Sequence, residues 1–259
     1  MQLRDKIATT KPLILNLANS VTSQRVADVI SMVGGSPLVT DDSQEIDELL
    51  AVSQALVINI GTVTDEQLAM MIKAGVKSNE SEIPVVLDPV AVQLPYRSKC
   101  VQRLLQVIHF DYIRGNAAEI AWFADEDSQG TGIDALNDDI NIETVKNAAR
   151  KTGSVIVQSG AVDIISDGNQ TVSVDYNNPA LATNVGAGDM LSALVATFAS
   201  VSNDKFTAAY VATLNMNLAG QKVAVISGND RPGTYMPVFF DAIYGLTDAD
   251  ISQGVITWH

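Results

Sequence analysis

The sequence predicts an α/β fold, a central and mostly parallel sheet flanked by helices, with a β-hairpin at the sheet edge. Three observations predict it. Short runs rich in β-branched residues alternate with longer runs of helical periodicity. The strand runs are apolar almost throughout, not at every second residue, so both of their faces are buried, as in parallel sheets. Past residue 160 the rhythm breaks into two short strands around Asp167-Gly168-Asn169, a turn signal.

In chain order, residues 12–17 (PLILNL), 37–40, 55–61 (ALVINIG), 83–90 (IPVVLDPV), 112–114 and 154–159 (SVIVQS) read as strands. Each is a short, nearly continuous apolar run. Helical spacing falls between them, at 21–33, 65–78, 98–107, 117–124 and 142–151. Residues 162–166 (VDIIS) and 171–176 (TVSVDY) form the hairpin. The chain then turns helical, at 188–200, 205–226, 235–244 and 248–252. In the first of these, Met190, Leu194 and Phe198 keep helical spacing, so the glycines before them lie at its N-terminus. No internal repeat or linker interrupts the chain, and residues 1–259 read as one domain.

Composition narrows the function. The 259 residues carry 30 acidic against 16 basic side chains, a formal charge of −14. That argues against nucleic-acid binding, which needs clustered Lys and Arg, and no basic membrane-docking helix is present. An anionic ligand in so acidic a chain is expected to arrive with a metal ion. Cys100 stands alone and the histidines number two, which argues against disulfides, Cys-based zinc sites and His-rich centres. The first residues lack a signal-peptide core, and the longest apolar stretch, 190–201, is too short to span a bilayer, so a cytoplasmic protein is expected. His109 and Cys100 read as packing residues, and the pairs Asp41-Asp42 and Asp138-Asp139 as solvated loops.

Three segments carry candidate chemistry. Asn184-Val185-Gly186-Ala187-Gly188-Asp189 opens a helix whose free N–H groups and dipole suit an anion, with Asp189 placed to take a proton from a hydroxyl. A plain helix cap is the competing reading. Ile113-Arg114-Gly115-Asn116-Ala117-Ala118-Glu119 runs from a strand into a helix. Arg114 suits phosphate oxygens, and Asn116 with Glu119 suits either Mg²⁺ or a capping box. Asp88 ends an apolar strand, either at a ligand edge or as an Asp-Pro turn. Asn19 and Ser159-Gly160 share that edge. Together they point to Mg²⁺-dependent phosphoryl transfer.

The runs GGSPLV (34–39), NIGT (59–62), LDPVAV (87–92), IRGNAAEI (113–120), VGAGD (185–189) and PGTY (232–235) resemble the ribokinase-like superfamily and, within it, the hydroxyethylthiazole kinases. They cover nearly the whole chain. The resemblance implies a three-layer sandwich, a cytoplasmic homotrimer with active sites near subunit interfaces, and phosphorylation of 4-methyl-5-(2-hydroxyethyl)thiazole by ATP with Mg²⁺. It implies ATP contacts for Arg114, Asn116, Ser159 and Gly188, a metal and phosphate role for Asp88 and Glu119, and thiazole contacts for Asn19, Val39 and Gly186. Asp189 would be the base, at a position where many thiazole kinases carry Cys. The chain departs from the family at Val39 (commonly Met), Gln93 (commonly Gly), Asp28 (Asn), Ala18-Asn19-Ser20 (Thr-Asn-x) and Ala182-Thr183-Asn184 (Thr-Lys-Val). The last change removes a cation. The other readings are a related activity, either a pyrimidine-alcohol kinase or a nicotinamide-hydrate dehydratase, and a thiazole- or nucleotide-binding protein without catalysis.

Overall fold

The computed structural model describes residues 2–125, 141–176, 178–227 and 231–259. Strands β1 (Leu13–Leu17), β2 (Ser36–Val39), β3 (Ala55–Asn59), β4 (Val85–Asp88), β5 (Tyr112–Asn116) and β6 (Val155–Ser159) are joined by helical crossovers. They are followed by β7 (Asp163–Ser166), β8 (Thr171–Val174) and β9 (Thr257–Trp258). All nine form one sheet in the order β2-β1-β3-β4-β5-β6-β7-β8-β9. The pairs among the first six strands are parallel and the rest antiparallel.

The helices are α1 (Leu3–Thr10), α2 (Ser23–Met32), α3 (Ile46–Val52), α4 (Asp65–Glu80), α5 (Pro95–Leu105), α6 (Ala117–Phe123) and α7 (Ile142–Thr152). Beyond the hairpin come α8 (Pro179–Ala182), α9 (Ala187–Ala199), α10 (Lys205–Ser227), α11 (Pro232–Tyr244) and α12 (Asp248–Ser252). Side chains alternate across a strand, so each continuous apolar run feeds two cores. On β3, Ala55 and Val57 join one core with α2, α9, α10 and α11, while Leu56 and Ile58 join the other with α4 and α5. This is why the strands lack a polar face.

The same alternation sets the site. Following Val57, Val86, Tyr112 and Val157 by two residues, Asn59, Asp88, Arg114 and Ser159 fall on the α9 side of the sheet at the carboxyl ends of their strands. The strand order reverses at β1. From β1 the chain crosses through α2 on one face, and from β3 through α4 on the other. Such a switch point opens a crevice between the two strand ends, where open α/β sheets bind ligands.

Four elements were not anticipated from the sequence. Helix α1 has only Leu3 and Ile7 to mark it, and α3 spans two turns. Helix α1 is secured by a charge: the buried Arg4 guanidinium donates to the carbonyls of Ile243 (3.0 Å), Tyr244 (3.2 Å) and Leu246 (3.0 Å), capping the end of α11. Helix α8 is a single turn. The two-residue β9 lies outside β8, pairing Val172 with Trp258, so the hairpin is present but is not the sheet edge. His109, expected to pack, is exposed, and Asn79 ties down its backbone. Cys100 is buried. Asp41 and Asp42 are exposed, whereas Asp138-Asp139 lies outside the described residues. Among the described residues no helix is long and apolar enough to cross a membrane.

Candidate active site

Helix α9 starts over the switch point. Its N-cap, Gly186, has φ 92°, a left-handed backbone that favours glycine. A Cβ there would also come within 2.8 Å of the Thr22 methyl. The turn therefore brings α9 against the β1–α2 loop, and three strand ends meet its first turn and a half. Gly188 lies against Arg114, and Asp189 and Ser192, three apart and so on one helix face, reach β3 and β4.

Asp189 sits in a cage of neutral donors. Its Oδ2 accepts from Asn19 Nδ2 at 2.8 Å and from the Thr22 hydroxyl, and its Oδ1 accepts from Asn59 Nδ2 at 3.1 Å. Asn19, expected at the substrate, thus touches the carboxylate itself. Its Oδ1 also accepts the N–H groups of Val21 (3.0 Å) and Thr22 (3.2 Å), which fixes the β1–α2 loop. Asn59 and Thr22 were not singled out from the sequence. Thr22 is the N-cap of α2, but its side chain makes no capping bond; the hydroxyl is turned to Asp189 instead. Arg25, also unforeseen, donates from Nη1 to the Val185 carbonyl and brings a cation to the turn that lacks Lys at 183.

A charged group lies on the other side of Gly188. The half-buried Arg114 donates from Nη2 to Ser159 Oγ, and its Nη1 stands 3.5 Å from Asp88 Oδ2. A Cβ on Gly188 would overlap that guanidinium. Asp88 is fully buried. Its Oδ2 accepts from Ser192 Oγ at 2.7 Å, and among the described residues its Oδ1 has no hydrogen-bond partner. Burial pushes the Asp88 carboxyl up to about 7; Arg114 opposes the rise, and Asp189 and Glu119 add to it.

The sign of that shift is testable. Between its ordinary value and about 7 the folded chain holds a proton that the unfolded chain has released, so stability falls with rising pH across that window. Asp88→Asn, without metal or nucleotide, is expected to flatten the fall and to gain on the parent in Tm from pH 5 to pH 8. Parallel Tm profiles over that range would show that Asp88 is not the group concerned.

Glu119 and Asn116 form a reciprocal capping box. Asn116 Oδ1 accepts from Glu119 N at 2.9 Å, and Glu119 Oε2 accepts from Asn116 N at 2.8 Å. Glu119 Oε1 accepts from Ala91 N at 2.7 Å, tying the loop after β4 to β5. Val39 ends the edge strand β2, 46% exposed, outside the hydrogen-bonded cluster. Among the described residues no three His, Cys, Asp or Glu side chains are grouped to hold a metal. Mg²⁺ shared with phosphate oxygens and water needs only one or two carboxylates, and the unpaired Asp88 oxygen fits that demand.

The family model described as "Hydroxyethylthiazole kinase family" matches residues 4–249. The chain belongs to the hydroxyethylthiazole kinase family. A hydroxyethylthiazole kinase from Lactococcus lactis subsp. cremoris (strain MG1363) is 48% identical over 247 residues, covering 95% of this chain and 98% of that one. One from Latilactobacillus sakei subsp. sakei (strain 23K) is 40% identical over 252 residues, covering 96% and 94%. Among solved structures, the hydroxyethylthiazole kinase protein from Pyrococcus horikoshii OT3 superposes with a TM-score of 0.88 at 27% identity, covering 99% of this chain and 97% of that chain. The pyridoxal kinase from Staphylococcus aureus, in complex with AMP-PCP and pyridoxal, shares the fold with a TM-score of 0.58 at 16% identity, covering 81% and 88%. The fold is thus a ribokinase-like three-layer sandwich.

Proposed function

We propose that this chain is a cytoplasmic, single-domain enzyme that transfers the γ-phosphoryl group of Mg·ATP to the primary alcohol of 4-methyl-5-(2-hydroxyethyl)thiazole. The observation that carries the reading is Asp189 at the N-terminus of α9, caged by Asn19, Thr22 and Asn59, with the Arg114–Ser159–Asp88 set across Gly188. A base and a phosphate-binding cation thus flank one helix N-terminus.

In this reading the thiazole alcohol lies in the switch-point crevice by Asn19, Gly186 and Val39. Asp189 accepts the hydroxyl proton as the new O–P bond forms. The bond from Pγ to the bridging oxygen breaks, and its electron pair leaves with ADP. Arg114, steadied by Ser159, meets the phosphate oxygens. The backbone N–H groups opened by Gly186 and Gly188 stabilise charge on the transferring group. Asn116 keeps the start of α6 in place beside the nucleotide. Asp88 would hold Mg²⁺, with Glu119 behind it, and the ion would supply neutralisation of the phosphate charge.

Three apolar side chains near the proposed acceptor site are exposed, Val21 (72%) beside Thr22, Val185 (67%) beside Gly186 and Val39 (46%) at the end of β2. Their exposure supports a homotrimer in which a partner subunit completes the mouth. The test of the function is ADP release across thiazole, pyrimidine and sugar alcohols, with Mg²⁺ and with a chelator. Release that depends on the thiazole alcohol and on Mg²⁺ is expected. Release indifferent to the alcohol or to chelation would refute the proposal.

A further inference from the structure

We infer that Asn59 and Thr22 are positioning residues for Asp189, and that Oδ1 of Asp189 is the atom that receives the alcohol proton. The inference rests on the proposed role of Asp189 as base and says how that base is aimed.

A carboxylate offers about two acceptor sites on each oxygen. Oδ2 of Asp189 has both filled, by the Asn19 amide and the Thr22 hydroxyl. Among the described residues Oδ1 has one filled, by Asn59, and one open. The hydroxyl of an alcohol can therefore be accepted at Oδ1 without displacing a protein donor.

The polarity of the cage is fixed from outside. The Asn59 side-chain oxygen, Oδ1, accepts from Gly61 N at 2.8 Å and from Asn19 Nδ2 at 3.3 Å, so its Nδ2 is the end left to face Asp189. The Thr22 hydroxyl has one proton and two acceptors within reach: Asn19 Oδ1 at 3.1 Å, and the nearer, negatively charged Asp189 Oδ2. The nearer charge takes it. Asn59 comes from β3 and Thr22 from the loop after β1, the two sides of the switch point, so the carboxylate is gripped across the crevice. Thr22 also packs its methyl on Gly186, which couples the grip to the N-terminus of α9.

In the step itself the alcohol O–H bond breaks toward Asp189 Oδ1 as the oxygen bonds to phosphorus, and the departing electron pair goes to ADP. Losing either grip lets the carboxylate rotate and places Oδ1 wrongly, an error worth about 10- to 100-fold in rate.

Steady-state kinetics and Tm on Thr22→Val, Thr22→Ser and Asn59→Leu test this. Thr22→Val and Asn59→Leu are expected to lower kcat about 10- to 100-fold while KM for Mg·ATP stays within about two-fold. Thr22→Ser, which keeps the hydroxyl, is expected to retain most of kcat. In an Asp189→Asn background, Thr22→Val is expected to cost nothing further, because there is no base left to aim. Unchanged kcat in Thr22→Val and Asn59→Leu, or equal losses in Thr22→Val and Thr22→Ser, overturns the inference. So does an additive loss in the double variant. If Asn59→Leu does not fold, the Thr22 pair and the double variant decide the matter. Loss of turnover in Asp189→Asn without loss in the positioning variants defeats this inference alone. Near-normal turnover in Asp189→Asn defeats the base itself.

Discussion

Asp189→Asn is expected to lower kcat by about 10²- to 10⁴-fold, the usual worth of a positioned general base, with KM for Mg·ATP little changed. The loss is chemical, not architectural. Asparagine keeps the shape of the side chain, and α9 starts from the Gly186 turn, not from Asp189. One carboxylate oxygen becomes an NH₂ group, however, and the cage offers only donors there: Asn19, Thr22 and Asn59. Thr22 can turn its hydroxyl toward Asn19. Asn59 can flip only by giving up its bond from Gly61 N. A stability cost of about 1 kcal/mol follows from one frustrated, half-buried contact, enough to see in a thermal melt and too small to unfold the domain. Asp189→Glu keeps the charge but moves it by a methylene out of the three-donor cage, so it is expected to recover only part of the loss. Burst and steady-state measurements with the thiazole alcohol separate these cases. A folded Asp189→Asn variant with near-normal turnover removes Asp189 as the base.

Much of this arrangement was legible in the sequence for a simple reason. A polar or charged residue at the end of an apolar strand is conspicuous. Asp88, Arg114 and Ser159 each end or nearly end such a run, and the glycines before Asp189 mark a helix start. Once strands are parallel, their ends must share one edge. The alternation of side chains that brings these residues under α9 depends on strand register to the single residue, which the apolar runs alone leave open. Asn59 and Thr22 escaped because their local readings are complete without a site: an Asn within the strand expected at 55–61, and a Thr within the helix expected at 21–33. Only a partner 130 or 167 residues away gives them meaning. Asn116 and Glu119 show the opposite case. The spacing allowed metal or cap, and the hydrogen bonds are those of a cap. The missed helices α1 and α3 are weakly patterned, and the tertiary contact of Arg4 with α11 supplies what periodicity does not.

Arg114→Ala is expected to reduce kcat/KM for Mg·ATP by about 10²- to 10³-fold, the scale of a lost oxyanion-type donor. Its effect on stability has a distinct pH signature. Asp88 is buried, and Arg114 is the leading influence that keeps its carboxyl from rising further. Without the guanidinium the folded-state value climbs, and the range over which ionisation destabilises the fold extends upward. The Tm deficit of Arg114→Ala is therefore expected to be small near pH 6 and to grow toward pH 9, since a raised carboxyl loses its stabilising contribution as pH rises through it. Gly188→Ala reaches the same guanidinium by steric means, because its Cβ occupies the space that Arg114 fills. It is expected to impair Mg·ATP use to a similar degree while leaving a cation near Asp88. If Gly188 is a glycine to make room for Arg114, the double variant loses no more than Arg114→Ala alone, a coupling visible in a double-mutant cycle. If the losses multiply instead, Gly188 serves the phosphate through its own backbone, and its contact with Arg114 is incidental to catalysis.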